Sequence, residues 1–181
     1  MPGHSETPGT EGPESGAGPR GTTVKSFYGT HENKIDKKGR VSIPAGFRQV
    51  LTAQEASTIM FFPALRSPAI EVCSEEYMEQ LTRNMDSFDF NSPELEDLSM
   101  TFFADAYPLP VDPEGRVILP EALRQHAGLE EKAAFVGKGK TFQIWEPGVL
   151  ARMKAESRAR TLQQNLTVPQ IDPRRPTDGG R

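Results

Sequence analysis

Lys34–Leu51 reads KIDKKGRVSIPAGFRQVL, and Pro110–Ala127 reads PVDPEGRVILPEALRQHA. Set against each other at an offset of 76 residues, the two stretches share Asp36/Asp112, Gly39/Gly115, Arg40/Arg116, Val41/Val117, Pro44/Pro120, Arg48/Arg124 and Gln49/Gln125. Ile35/Val111, Ile43/Leu119 and Phe47/Leu123 are similar in kind. Self-similarity of this sort means that one supersecondary unit occurs twice, and it constrains the architecture before any single element does.

Each copy opens on a tight turn, IDKKGR or VDPEGR. Asp36 and Asp112 take the first turn position, where a carboxylate can accept from a nearby backbone N–H. Pro113 presets the second position, and Gly39 and Gly115 supply a left-handed residue at the end. A type I turn followed by such a glycine is a common hairpin connection. Apolar residues flank it: Ile35 or Val111 before, then Val41 with Ile43 or Val117 with Leu119 in alternation. Pro44 and Pro120 each end a strand and suit the first turn of a short helix, AGFRQVL or EALRQHAGL. These helices put Phe47, Val50 and Leu51, or Leu123 and Ala127, on one side, with Gly128 as a C-cap. Strands TIMFFPA and AIEVC follow the first copy, and AAFVGK and TFQIWE follow the second.

Helices join the copies. Ser74 reads as an N-cap for EEYMEQLTRNM, and Ser92 with Pro93 as another for ELEDLSMTFFADA, whose Leu95, Leu98 and Phe102 line one face. A third helix starts near Pro147 and is short of apolar residues. One copy of about 45 residues makes a poor core alone, whereas two can bury their faces against each other. The expectation is an α+β fold, an internal pseudo-dimer with interleaved hairpins. The first repeat spans 25–73, a helical linker 74–106, the second repeat 107–147 and a C-terminal helix 148–162. The polar, Gly- and Pro-rich segments 1–24 and 163–181 are expected to be disordered.

Composition narrows the function classes. The chain has 181 residues, with 21 Lys+Arg against 25 Asp+Glu and a formal net charge of -4. That argues against a surface that is basic throughout, and leaves room for a local basic face. Val24–Leu51 carries six basic residues and two acidic ones, while Glu71–Glu114 carries twelve acidic residues and only Arg83 as a base. The acidic middle is read as solvated helix faces. Cys73 is the one cysteine, which excludes an internal disulfide and a cysteine-built zinc site. A reducing compartment fits, and no stretch approaches a membrane span.

The doubled Asp-x-x-x-Arg pattern, Asp36/Arg40 and Asp112/Arg116, each followed by Val-x-[Ile/Leu]-Pro and later Arg-Gln, is specific. With FYGTHENKIDKKGRVSIPAGFRQVL from Phe27 and PVDPEGRVILPEALRQHAGLEEKAAFVGKGKTFQIWEP from Pro110, it resembles the two halves of MraZ proteins. These are bacterial transcriptional regulators linked to the division and cell-wall gene cluster. The resemblance covers roughly Phe27 to Glu146. It implies two AbrB-like swapped-hairpin repeats closing an intrachain β-barrel. It also implies a ring-shaped homo-oligomer that binds double-stranded DNA at tandem promoter repeats, usually as a repressor. The family's DNA-contact role falls on Arg40 and Arg116. In the second turn Pro113 and Glu114 replace Lys37 and Lys38, so that turn is less basic.

The residues themselves allow two accounts of these arginines. Asp36 with Arg40, and Asp112 with Arg116, can be local salt bridges across a turn, worth ~0–1 kcal/mol. Alternatively, strands laid in a groove read DNA, and arginine makes bidentate contacts to guanine. The resemblance favours DNA contact for Arg40 and Arg116, oriented by Asp36 and Asp112. Lys37 and Lys38 then serve phosphates, and Gly39, Gly115, Pro44 and Pro120 are structural. Arg48 and Arg124 are read as part of a solvated helix face. An enzyme is not expected, nor a cofactor, metal or small-molecule ligand. His4, His31 and His126 form no catalytic set, Cys73 reads as a buried small hydrophobe, and GKGKT lacks the phosphate-loop spacing. A cytoplasmic, nucleoid-associated protein is the expectation. The competing reading is an antitoxin-type module that neutralises or recruits a protein partner.

Overall fold

A computed structural model of the chain describes residues 26–54, 56 and 58–169. The disorder expected of 1–24, and of 163–181 beyond residue 169, lies outside them. The first half runs β1 (Thr30–Lys34), β2 (Arg40–Ser42), α1 (Ala45–Ala53), β3 (Thr58–Pro63), β4 (Ile70–Ser74) and α2 (Glu75–Met85). Then come α3 (Pro93–Ser99), β5 (Tyr107–Pro110), β6 (Arg116–Ile118), α4 (Glu121–His126), β7 (Lys132–Gly137), β8 (Phe142–Trp145) and α5 (Pro147–Gln163). The fold is mixed α and β, and every strand pairing is antiparallel.

Six strands form one sheet in the order β1-β7-β8-β4-β3-β5, and β2 pairs with β6 in a separate ribbon. Among the described residues only β3–β4 and β7–β8 pair within a half. Each hairpin lends its first strand to the other half, β1 to β7 and β5 to β3, so the halves are interleaved. The expected closed barrel does not form. The six-stranded ladder stays open, with β1 and β5 as its edges. Pro108 and Pro110 explain one edge. Proline has no N–H, and both face β3 residues in the register, so a strand can keep them only where the missing donors face away from its partner. The outer side of β5 therefore offers few donors to a further strand.

Alternation sorts the sheet into two faces. Ile59, Phe61, Ile70, Val72, Ala133, Phe135, Phe142 and Ile144 join Val41, Ile43, Val117 and Leu119 of the ribbon in one core, with Phe27, Phe47 and Leu123. The other face is covered by helices at its two flanks. Trp145 and Ala134 pack with Leu150 of α5, and Phe62 and Cys73 pack with Met78 of α2.

Local chemistry sets the element ends. The Ser74 hydroxyl accepts from Tyr77 N–H at 3.3 Å and the Ser92 hydroxyl from Leu95 N–H at 3.2 Å, which caps α2 and α3. Pro44 and Pro120 sit one position before the helices, not in their first turn. Their extended ψ of 140° and 146° leaves the carbonyl to accept the first helical N–H bonds. The run after Ser99 continues as a π-turn over Met100–Ala104, which the apolar spacing did not foretell. The wider turn sets adjacent Phe102 and Phe103 against one apolar cluster, Phe102 edge-on to Phe62.

Two glycines separate a structural need from a removable one. Gly115 has φ +78°, and a Cβ there would overlap the Arg48 guanidinium, whereas helical Gly46 faces open space. Gly115→Ala is expected to cost ~1–3 kcal/mol, and Gly46→Ala to stabilise by ~0.5–1 kcal/mol, in chemical denaturation monitored by circular dichroism.

Candidate nucleic-acid interface

The two signature turns have one geometry. In the first, Gly39 N–H donates to Asp36 C=O at 2.9 Å, and Asp36 N–H donates to Arg40 C=O at 3.0 Å. In the second, the matching bonds from Gly115 and Asp112 measure 2.8 and 2.9 Å. Both glycines have φ +78°, the left-handed closure expected after a type I turn. Asp36 serves as the turn's hub. One of its oxygens accepts from the backbone N–H groups of Lys38 and Arg40 at 2.8 and 2.9 Å, and the other accepts from Arg40 Nε at 2.7 Å. Asp112 holds Arg116 the same way, with 2.8 Å to its N–H and 2.7 Å to its Nε.

The halves differ in what surrounds those arginines. Arg116 Nη2 also donates to Glu114 at 3.0 Å, while among the described residues Arg40 bonds no acidic group but Asp36. Lys37 and Lys38 are exposed and make no salt bridge among the described residues.

The ribbon brings the two turns together. Its register pairs Arg40 with Ile118, Val41 with Val117 and Ser42 with Arg116. Val41 and Val117 point into the core, each 1% exposed. Arg40, Ser42, Arg116 and Ile118 therefore share the opposite face, with the arginines on a diagonal roughly 7–8 Å apart. Ser42 and Ile118 were not singled out from the sequence. Their place depends on a pairing between distant segments that periodicity within one segment does not reveal.

Each turn is finished by the other half. Ile43 N–H donates to Gly115 C=O and Leu119 N–H to Gly39 C=O, both at 2.9 Å. The helix arginines also reach across to the opposite turns. Arg48 of α1 lies over Gly115 and donates from Nη1 to Glu114 C=O at 2.9 Å. Arg124 of α4 lies over Gly39, its buried Nε without a hydrogen-bond partner among the described residues. The solvated helix face expected for this pair is thus replaced by side chains packed over the opposite turns, with a hydrogen bond from Arg48. The reason is that each helix faces a turn 66 or more residues away, which no local pattern encodes.

The other chemistry-bearing residues stand apart from this face. Cys73 is fully buried, and burial followed by the nearby Glu71 charge pushes its thiol up to about 12. That disfavours the thiolate a nucleophile needs. His31 is exposed on β1, its ring edge-on to Phe47. His126 is exposed at the end of α4, and His4 lies outside the described residues. Among the described residues no group of three His, Cys, Asp or Glu could hold a metal ion, and no helix is long and apolar enough to cross a membrane.

Comparison with known proteins identifies a matching family and several relatives. The family model described as "MraZ protein, putative antitoxin-like" matches residues 26–97 and 102–165. A "Transcriptional regulator MraZ" of Gluconacetobacter diazotrophicus is 46% identical over 143 residues, 77% of this chain and 90% of the relative. One of Gluconobacter oxydans is 47% identical over 144 residues, covering 77% and 88%. One of Rickettsia bellii is 40% identical over 136 residues, covering 75% and 91%.

The aspartate hubs make the turns acid-sensitive. The Arg40 N–H and guanidinium hold the Asp36 carboxyl at about 2, against an ordinary 3.8. For Asp112, burial pushes the carboxyl up, but the Arg116 N–H and guanidinium outweigh it and leave it lowered. A lowered folded-state value contributes stability above the unfolded value, and that stability is lost as pH falls through the folded one. The thermal midpoint should therefore fall between about pH 4 and pH 2, and Asp36→Asn should flatten that fall when both are followed by circular dichroism.

Proposed function

We infer, for a chain that belongs to the MraZ family, a sequence-specific DNA-binding transcriptional regulator whose contact surface is the outer face of the β2–β6 ribbon with its two flanking turns. The observation that carries this reading is the pair of half-exposed guanidinium groups on one face of a two-stranded ribbon. A ribbon of this width suits a DNA groove. Because Asp36 engages Nε of Arg40, the two Nη groups remain for a base edge such as guanine O6 and N7. Lys37 and Lys38 then meet phosphates, fixing position and not sequence. Arg116 plays the same part once Glu114 releases its Nη2. The turn glycines and the helix-opening prolines hold this geometry.

The wider roles follow the family resemblance. The protein acts as a repressor in the cytoplasm, at the nucleoid, on tandem promoter repeats of the division and cell-wall gene cluster. It works as a ring-shaped homo-oligomer built from AbrB-like swapped-hairpin units, and not as an enzyme. Repetition of a modest contact face around a ring raises avidity when the DNA repeats match its spacing. That is how a chain with a net charge of -4 holds DNA. The family description's antitoxin likeness favours a second reading, a module that captures one protein partner.

Fluorescence anisotropy with the promoter upstream of the protein's own gene, beside a scrambled duplex, tests the first reading. Arg40→Ala is expected to cost about 1–3 kcal/mol of specific binding. Lys37→Ala should weaken both duplexes alike and reduce the salt slope by about one. Equal weak binding to both duplexes by the wild type, with one stoichiometric protein partner recovered, favours the second reading.

A further inference from the structure

The helix-covered face of the six-stranded sheet carries two unpartnered features that match each other. At one flank a groove of about 760 Å³ lies between α5, β7, β8 and the β3–β4 loop. Its floor is apolar, with Trp145, Leu150 and Met153, and its rim is cationic, with Arg66, Lys154 and Arg158. Among the described residues Arg66 and Arg158 make no salt bridge, and Lys154 reaches only the Thr30 hydroxyl, at 3.2 Å. The cations are therefore available to an incoming anionic group.

At the other flank, the loop between α2 and α3 presents two phenyl rings to solvent, Phe88 at 42% exposure and Phe90 at 88%. Large apolar side chains grouped this openly mark an interaction site more often than chance exposure. The loop is held by its own hydrogen bonds. Phe88 N–H donates to Met85 C=O at 3.0 Å, Ser92 N–H to Asp89 C=O at 2.9 Å, and Asn91 N–H to the Asp89 carboxylate at 3.0 Å. A knob fixed in advance loses little entropy on docking. Its surroundings are acidic: from Asp86 to Asp97 the chain has five carboxylates and no base.

We propose that the Phe88–Phe90 loop of one copy of this chain docks in the Trp145–Leu150–Met153 groove of a second copy, with Asp86 and Asp89 against the Arg66, Lys154 and Arg158 rim. This rests on the homo-oligomer reading above and names the surfaces that would build it. An aromatic knob ringed by carboxylates and an apolar groove ringed by cations are complementary in both shape and charge. Both belong to one chain, so the chain is its own partner. Knob and groove sit on opposite flanks, α2–α3 over the Phe62–Met78 cluster and α5 over the Trp145–Leu150 cluster. Each contact joins two unlike patches, and repeated head-to-tail from copy to copy it closes a ring or extends a filament. The ribbon with Arg40 and Arg116 belongs to neither surface, so DNA contact and self-association are separable.

The test uses the full chain in sedimentation-velocity ultracentrifugation, with circular dichroism to establish folding. The knob variant is Phe88→Ala with Phe90→Ala, and the groove variant is Arg66→Glu with Arg158→Glu. Expected is an oligomeric wild type, and variants that are each folded and monomeric. Mixed one to one, the variants should form a dimer and nothing larger, because one intact knob meets one intact groove. A folded variant that keeps the wild-type mass overturns the proposed surfaces while leaving the oligomer reading standing. A wild type that stays monomeric at all concentrations overturns both. Milder variants replace a pair that fails to fold, Phe90→Ser for the knob and Arg158→Ala for the groove.

Discussion

Two crossed backbone hydrogen bonds organise this molecule, Ile43 N–H to Gly115 C=O and Leu119 N–H to Gly39 C=O. Each completes the turn of one repeat with the strand end of the other. The strands involved, β2 and β6, have only three residues each, too few to stand as an isolated hairpin. They persist because Val41, Ile43, Val117 and Leu119 are buried in the shared core and because the helix arginines Arg48 and Arg124 lie over the opposite turns. A residue with a side chain at Gly115 would meet Arg48, and one at Gly39 would meet Leu119 C=O at 3.1 Å. The left-handed backbone and the close approach thus demand glycine for two independent reasons at the same positions.

This arrangement places the candidate contact face on the seam between the repeats. Arg40 is fixed by its own Asp36, but the strand that carries it is paired to the second repeat, and the converse holds for Arg116. The scaffold is close to two-fold symmetric, and its charge is not. Lys37 and Lys38 extend the positive surface of the first turn, while Glu114 ties up part of Arg116 in the second. One chain therefore presents two turns of unequal charge on equal backbones.

Features specified by neighbouring residues were legible in the sequence. The Asp-x-x-Gly turns, the Ser74 and Ser92 caps, the four core strands and the repeat itself all follow from spacings of a few residues. The interleaving of hairpins was legible as well, because one copy alone could not bury its faces. Features set by distant pairing were not. The open ladder depends on which neighbour β5 finds, and its prolines were read only as part of a repeat. Arg48 and Arg124 carry the same letters as a solvated helix face, and their partners lie in the other half. Ser42 and Ile118 entered the candidate face only through the β2–β6 register. The π-turn at Met100–Ala104 answers to packing of Phe102 and Phe103, not to propensity.

The measurement closest to the central claim is amide hydrogen exchange at Ile43 and Leu119, compared with Phe135 and Ile144 in the middle of the sheet. If the crossed bonds join the repeats into one cooperative body, both amides exchange only through global unfolding, with protection equal to that of the sheet residues. Faster exchange at Ile43 or Leu119, with the sheet still protected, would mean that a hairpin opens by itself and that the crossing does not hold the repeats together.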